Sequence, residues 1–133
     1  MHNPHFNHWA ILTVAVFQWL LGALWFSPLL FFKPWQKAMK FDGKAKNATA
    51  GMIVSLISSL MLSFILDHFI IWSSSTDFGH GAFIGFIAWL GFYVAPYYAL
   101  SLFEDTPFKV VAINTGYWLV GMVVSGGILA IWQ

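Results

Sequence analysis

The sequence predicts an all-α protein: an integral membrane bundle of four helices, with both termini on the outer side and a kink in the third helix. Three observations point there. Only 8% of the 133 residues are charged, against roughly 25% in soluble domains. Hydrophobic residues make up 59% and aromatic residues 20%, more apolar surface than a soluble domain of this size can hide when it buries about two-thirds of its area. Four apolar stretches of 23 to 25 residues run over 9–32, 48–72, 79–103 and 110–132, and a helix needs about 20 residues to cross a hydrocarbon core of ~30 Å. The period-two alternation of a membrane barrel is absent. A soluble monomer and a disordered chain are excluded, and a net charge of +1 leaves no basic footprint for nucleic acid. The chain 1–133 reads as one transmembrane domain whose first partner is the lipid bilayer.

The first stretch lacks a basic leader and a small-residue cleavage site, so it is expected to stay in the protein as a span rather than act as a signal peptide. After it come Lys33, Lys37, Lys40, Lys44 and Lys46, opposed only by Asp42; Glu104, Asp105 and Lys109 lie between the third and fourth stretches. All six lysines therefore fall at one end, which the positive-inside rule makes cytoplasmic. Trp9, Trp72 and Trp132 fall at the expected outer interface and Trp35 at the inner one. Asn47 can cap the second span. Thr106-Pro107 offers an N-cap and a first-turn proline for the fourth. Pro96, deep in the third, removes a backbone bond and predicts the kink, with Tyr97, Ser101 or a serine of the second span to meet the freed carbonyl. The Gly51–Ser55 pentad resembles Gly121–Ser125, but the two lie at different depths, so no symmetric repeat is expected.

The second span carries Gly51, Ser55, Ser59, Ser63 and Asp67 at four-residue spacing. Small residues four apart allow close helix packing, and serine hydroxyls can bond across the contact; the same stripe could instead line a polar path ending at Asp67. Asp67 is also the one charge of 11 inside a span. Gln18 and Asn114 are the deepest uncharged polar residues, placed to bridge helices or to meet a ligand. Trp19, Trp25, Trp89 and Trp118, with Tyr93, Tyr97, Tyr98 and Tyr117, form an aromatic interior suited to packing or to a flat apolar molecule. All five histidines (His2, His5, His8, His68 and His80) map to the outer side. Imidazole with carboxylate suits zinc, copper or nickel, so Asp67, His68, His80 and His8 are the candidate metal ligands. Histidines on different helices could also hold haem. No cofactor is required by the sequence. There are no cysteines, and no nucleophile–base pair or phosphate loop suggests an enzyme.

Gly22-Ala23-Leu24-Trp25-Phe26-Ser27-Pro28, then Phe31-Phe32-Lys33-Pro34-Trp35, resembles the G-A-x-W-Y-S-P…F-G-x-x-W signature of the DUF1761 family. Trp89-Leu90-Gly91-Phe92, Asn114-x-Gly116-Tyr117 and the closing Gly127–Trp132 run look like later parts of it. Phe26 stands where the family favours Tyr, and Phe32 where it has Gly. The resemblance implies a small four-span protein of the bacterial cytoplasmic (inner) membrane and adds no mechanism. Three expectations result: a non-enzymatic protein that self-associates or joins a larger membrane complex; a transporter of ions, protons or small solutes along the serine stripe and Asp67; or an outward-facing metal or cofactor site.

Overall fold

The structure is a computed structural model that describes residues 6–43 and 45–133. Five helices are formed among them: α1 (His8–Trp25), α2 (Phe32–Met39), α3 (Ala48–Trp72), α4 (Phe78–Phe103) and α5 (Phe108–Ile131). All but α2 are long and apolar enough to cross a membrane.

Asn7 starts α1: its side-chain oxygen accepts from the backbone N–H of Trp9 at 3.0 Å and of Ala10 at 3.3 Å, the usual way to satisfy first-turn donors. The helix ends at Trp25, one turn before Pro28, rather than running on to residue 32. Pro28 disfavours helical geometry in the residue before it. The chain instead turns on bonds from the Phe31 N–H to the Trp25 carbonyl and from the Ser27 hydroxyl to the Leu24 carbonyl, at 3.0 and 2.6 Å. Beyond this turn the chain forms the short helix α2, with exposed Lys33 and Lys37 on one side and half-buried Phe32, Trp35 and Gln36 on the other. It ends on Lys40 in a left-handed conformation, φ 56°.

Helix α4 is capped by Asp77, whose carboxylate accepts from the His80 N–H at 2.9 Å. It winds to π geometry over Trp89–Val94 and returns to α geometry at Ala95. The irregularity expected at Pro96 is therefore a π turn just ahead of the proline, where the missing N–H interrupts the regular bond ladder. The Ser101 hydroxyl is directed at the Tyr98 carbonyl at 2.7 Å, and Tyr97 accepts from Asn114. The Thr106 cap is not formed. Its N–H closes the end of α4 on the Ser101 carbonyl at 2.9 Å, and Pro107 becomes the residue before α5, its carbonyl accepting from Val110 and Val111. Asn47 likewise precedes α3 without a side-chain bond.

Helix α5 is the axis of the bundle, with 11 buried residues, and it packs against α1, α2, α3 and most extensively α4. The α4–α5 contact is made by glycine. A Cβ on Gly81 would overlap the Gly126 carbonyl, one on Gly85 the Met122 carbonyl, and one on Gly126 the Gly81 carbonyl. Without side chains there, the two backbones come together as small-residue membrane interfaces allow. The apolar core, at the end that holds the termini, gathers Ala10, Ile11, Val14, Leu66, Ile70 and Leu129 from α1, α3 and α5. None of residues 48–58 of α3 is buried, so α3 is buried in the bundle over its second half only, its first half being tied to α1 by the Trp19 indole.

Candidate functional site

The best-defined polar site lies midway along the bundle, where α1 crosses α5. Gln18 is 0% exposed. Its backbone carbonyl accepts from the Tyr117 hydroxyl at 2.7 Å, and its side-chain Oε1 accepts from the Ser125 hydroxyl at 3.3 Å. Its Nε2 is buried with no hydrogen-bond partner among the described residues. Glycines on opposite helices make the room: a Cβ on Gly121 would overlap the Gln18 amide, and one on Gly22 would come 2.9 Å from the Tyr117 oxygen. Each helix thus offers a gap to the polar side chain of the other.

Three further polar residues line the inward face of α3. Ser59, Ser63 and Asp67 are all buried, Asp67 at 3% exposed. The Ser63 hydroxyl donates to the Ser59 carbonyl at 2.7 Å, so Ser63 closes on its own helix rather than on a neighbour. Gly51 and Ser55, the first members of the same stripe, are exposed, and the Ser55 hydroxyl also folds back, onto the Met52 carbonyl at 2.8 Å. Asn114 donates to the Tyr97 hydroxyl at 2.8 Å and so joins α5 to α4.

The three described histidines belong to three different helices. His8 is exposed at the start of α1 and His80 is exposed in the first turn of α4. The His68 ring sits among Phe6, Phe64 and Trp72, with centroids at 4.3, 4.7 and 5.4 Å, and its Nδ1 lies 2.8 Å from the Phe64 carbonyl. A carbonyl only accepts, so that bond places a proton on Nδ1. Among the described residues no group of three or more His, Cys, Asp or Glu comes together in a way that could hold a metal; His2 and His5 lie outside the described residues.

Aromatic side chains form a second connected feature toward the lysine-bearing end. Tyr97 stacks on Tyr93 at 5.2 Å, Tyr93 meets Trp118 at 5.7 Å, and Trp118 meets Tyr117 at 4.8 Å. Tyr117 then touches Phe26 at 5.7 Å, and Phe26 meets Trp35 of α2 edge-on at 6.3 Å. Indole N–H groups bind neighbouring backbones: Trp25 to the Ile113 carbonyl, Trp89 to that of Thr115, and Trp19 to that of Met52, at 2.9 to 3.1 Å. These roles of Tyr117 and the indoles, and helix α2, went unread in the sequence. The offsets of four and three between Lys33, Lys37 and Lys40 were the available signal for α2.

The segment Gly22–Trp35 takes its meaning from this geometry. Gly22 admits Tyr117, Trp25 bonds α5, Ser27-Pro28 ends α1, and Trp35 packs on Phe26. No curated protein matches the chain, and no solved structure does. The model of one family, described as proteins of unknown function, matches residues 9–130. The chain belongs to the DUF1761 family.

Proposed function

We propose that this is a non-enzymatic protein of the bacterial cytoplasmic membrane that associates with further transmembrane helices, its own copies first among them. It lies with the lysine-rich end in the cytoplasm. The observation that carries the reading is a contrast among glycines. Gly81, Gly85, Gly121, Gly126 and Gly127 are each filled closely by a neighbouring helix, whereas a Cβ on Gly51 or Gly91 would meet nothing within 4 Å. Gly91, Ala95 and Ala99 are exposed at four-residue spacing on α4, the pattern by which membrane helices approach one another closely. Glycine inside a helix costs about 1 kcal/mol relative to alanine, and a second helix packed on that face would offset it. The expected result is an oligomer in mild detergent by light scattering, which Gly91→Leu dissociates without unfolding the protomer. A monomeric wild-type protein that also fails to cross-link in membranes would exclude self-association.

A second reading comes from Ser59, Ser63 and Asp67 sharing the inward face of α3. Ionisable residues within spans commonly mark proton or ion paths. Under this reading, proteoliposomes show an ion or proton flux that Asp67→Asn abolishes. Tight vesicles with wild-type protein would remove it.

A further inference from the structure

The exposed half of α3 is one wall of a groove. Trp19 and Gly22 of α1 and Phe26 just past its end, with Tyr117 and Trp118 of α5, form the rest, and together with α3 residues between Ala48 and Ser59 they border an open groove of about 740 Å³. The Trp19 indole bonds the Met52 carbonyl across it at 3.1 Å and holds the two walls together. From Ala48 to Ser59 the groove runs along α3 for about 16 Å at 1.5 Å per residue. One leaflet's hydrocarbon is ~15 Å deep, half the ~30 Å core, so the groove has the depth of a single acyl chain.

Its mouth is cationic. Lys46 precedes Ala48 by two residues, and Phe26 packs on Trp35 of α2, which is flanked in sequence by Lys33 and Lys37. Lys33, Lys37 and Lys46 are all exposed. The 33–46 segment holds five lysines against Asp42, and the other turn at this end adds Lys109 with Glu104 and Asp105, leaving a positive excess. The geometry points to a binding site for one anionic phospholipid of the cytoplasmic leaflet. Its acyl chain lies between α1 and α3, and its phosphate meets the lysines of α2 and Lys46. The leaflet assignment rests on the orientation proposed above; the binding does not. Charge favours this occupant over a second copy, which would bring its own lysine segment to the same level of the membrane, where like charges repel.

The test is native mass spectrometry of the full chain released from mild detergent, titrated with phosphatidylglycerol or with phosphatidylethanolamine. One phosphatidylglycerol is retained in preference, and each of Lys33→Gln, Lys37→Gln and Lys46→Gln lowers that retention about fivefold, from a worth near one factor of five per lysine at a membrane surface. Gly51→Phe projects a ring into the groove from a position where an added Cβ meets nothing within 4 Å, so the expected variant folds and loses the lipid; Gly91→Leu, on another face, keeps it. Equal retention of the two lipids overturns the proposal. So does a Gly51→Phe variant that binds as the wild type does, or a dimer that Gly51→Phe dissociates with no lipid retained. The readout is made in detergent, so a reversed orientation or a monomeric protein leaves its outcome unchanged.

Discussion

Gln18 shows how a polar residue is accommodated in the middle of a membrane bundle. Its carbonyl and Oε1 accept bonds from α5, while Nε2 has none. A buried donor without a partner costs about 1–3 kcal/mol, whereas an apolar group of the same shape carries no such penalty. Gln18→Met combined with Ser125→Ala, which removes the donor that Oε1 satisfies, is therefore expected to leave unfolding stability in detergent unchanged or to raise it by up to about 1 kcal/mol. Tyr117→Phe, which removes an interhelical bond, is expected to cost about 0.6 kcal/mol, the average for such bonds in membranes. A large loss in this double variant would mean that the amide has a bound partner. Gln18 was legible in the sequence as a bridging position because its depth singles it out. Tyr117 was not, because one tyrosine among four in aromatic-rich spans gives no sign of where its hydroxyl points.

At the scale of elements, the small-residue stripes behave in two ways that their spacing does not distinguish. Gly81 and Gly85 are in backbone contact with α5, whereas a Cβ on Gly51 or Gly91 would meet nothing within 4 Å. Leucine at Gly85 overfills a closed interface, a change that typically costs about 1–3 kcal/mol, and the expected result is lost stability with α4 separated from α5. The related pentads at Gly51 and Gly121 divide the same way: Gly121 and Ser125 are buried, and Gly51 and Ser55 are exposed. Helix α2 was hidden for another reason. An apolar run read by hydropathy continues through Ser27-Pro28, yet α1 ends at Trp25 and the chain passes through a turn before α2 begins at Phe32. At Thr106, one local signal lost to another: the residue serves the C-terminal closure of α4, with Asp105 left-handed at φ 56° and its own N–H on the Ser101 carbonyl.

The whole molecule has two unlike ends. Asn7, Ser75 and Gln133 lie together at one, where the Gln133 amide donates to the Ser75 carbonyl at 2.6 Å; the lysines occupy the other. Because the chain has no cysteine, single substitutions report orientation directly. Ser74→Cys is expected to react with a membrane-impermeant maleimide in intact cells, and Lys40→Cys only after lysis. The reverse pattern would invert the assignment. The number of spans and the end that carries the charge were determined by composition alone, since transfer of apolar length and of lysine between water and lipid depends on residue type and hardly on neighbours. Tertiary structure decided which glycines are filled, which hydroxyls cross between helices, and that half of α3 stays unburied beside a groove. Those outcomes depend on helix rotation and offset, and in an all-round apolar helix no polar face fixes either one.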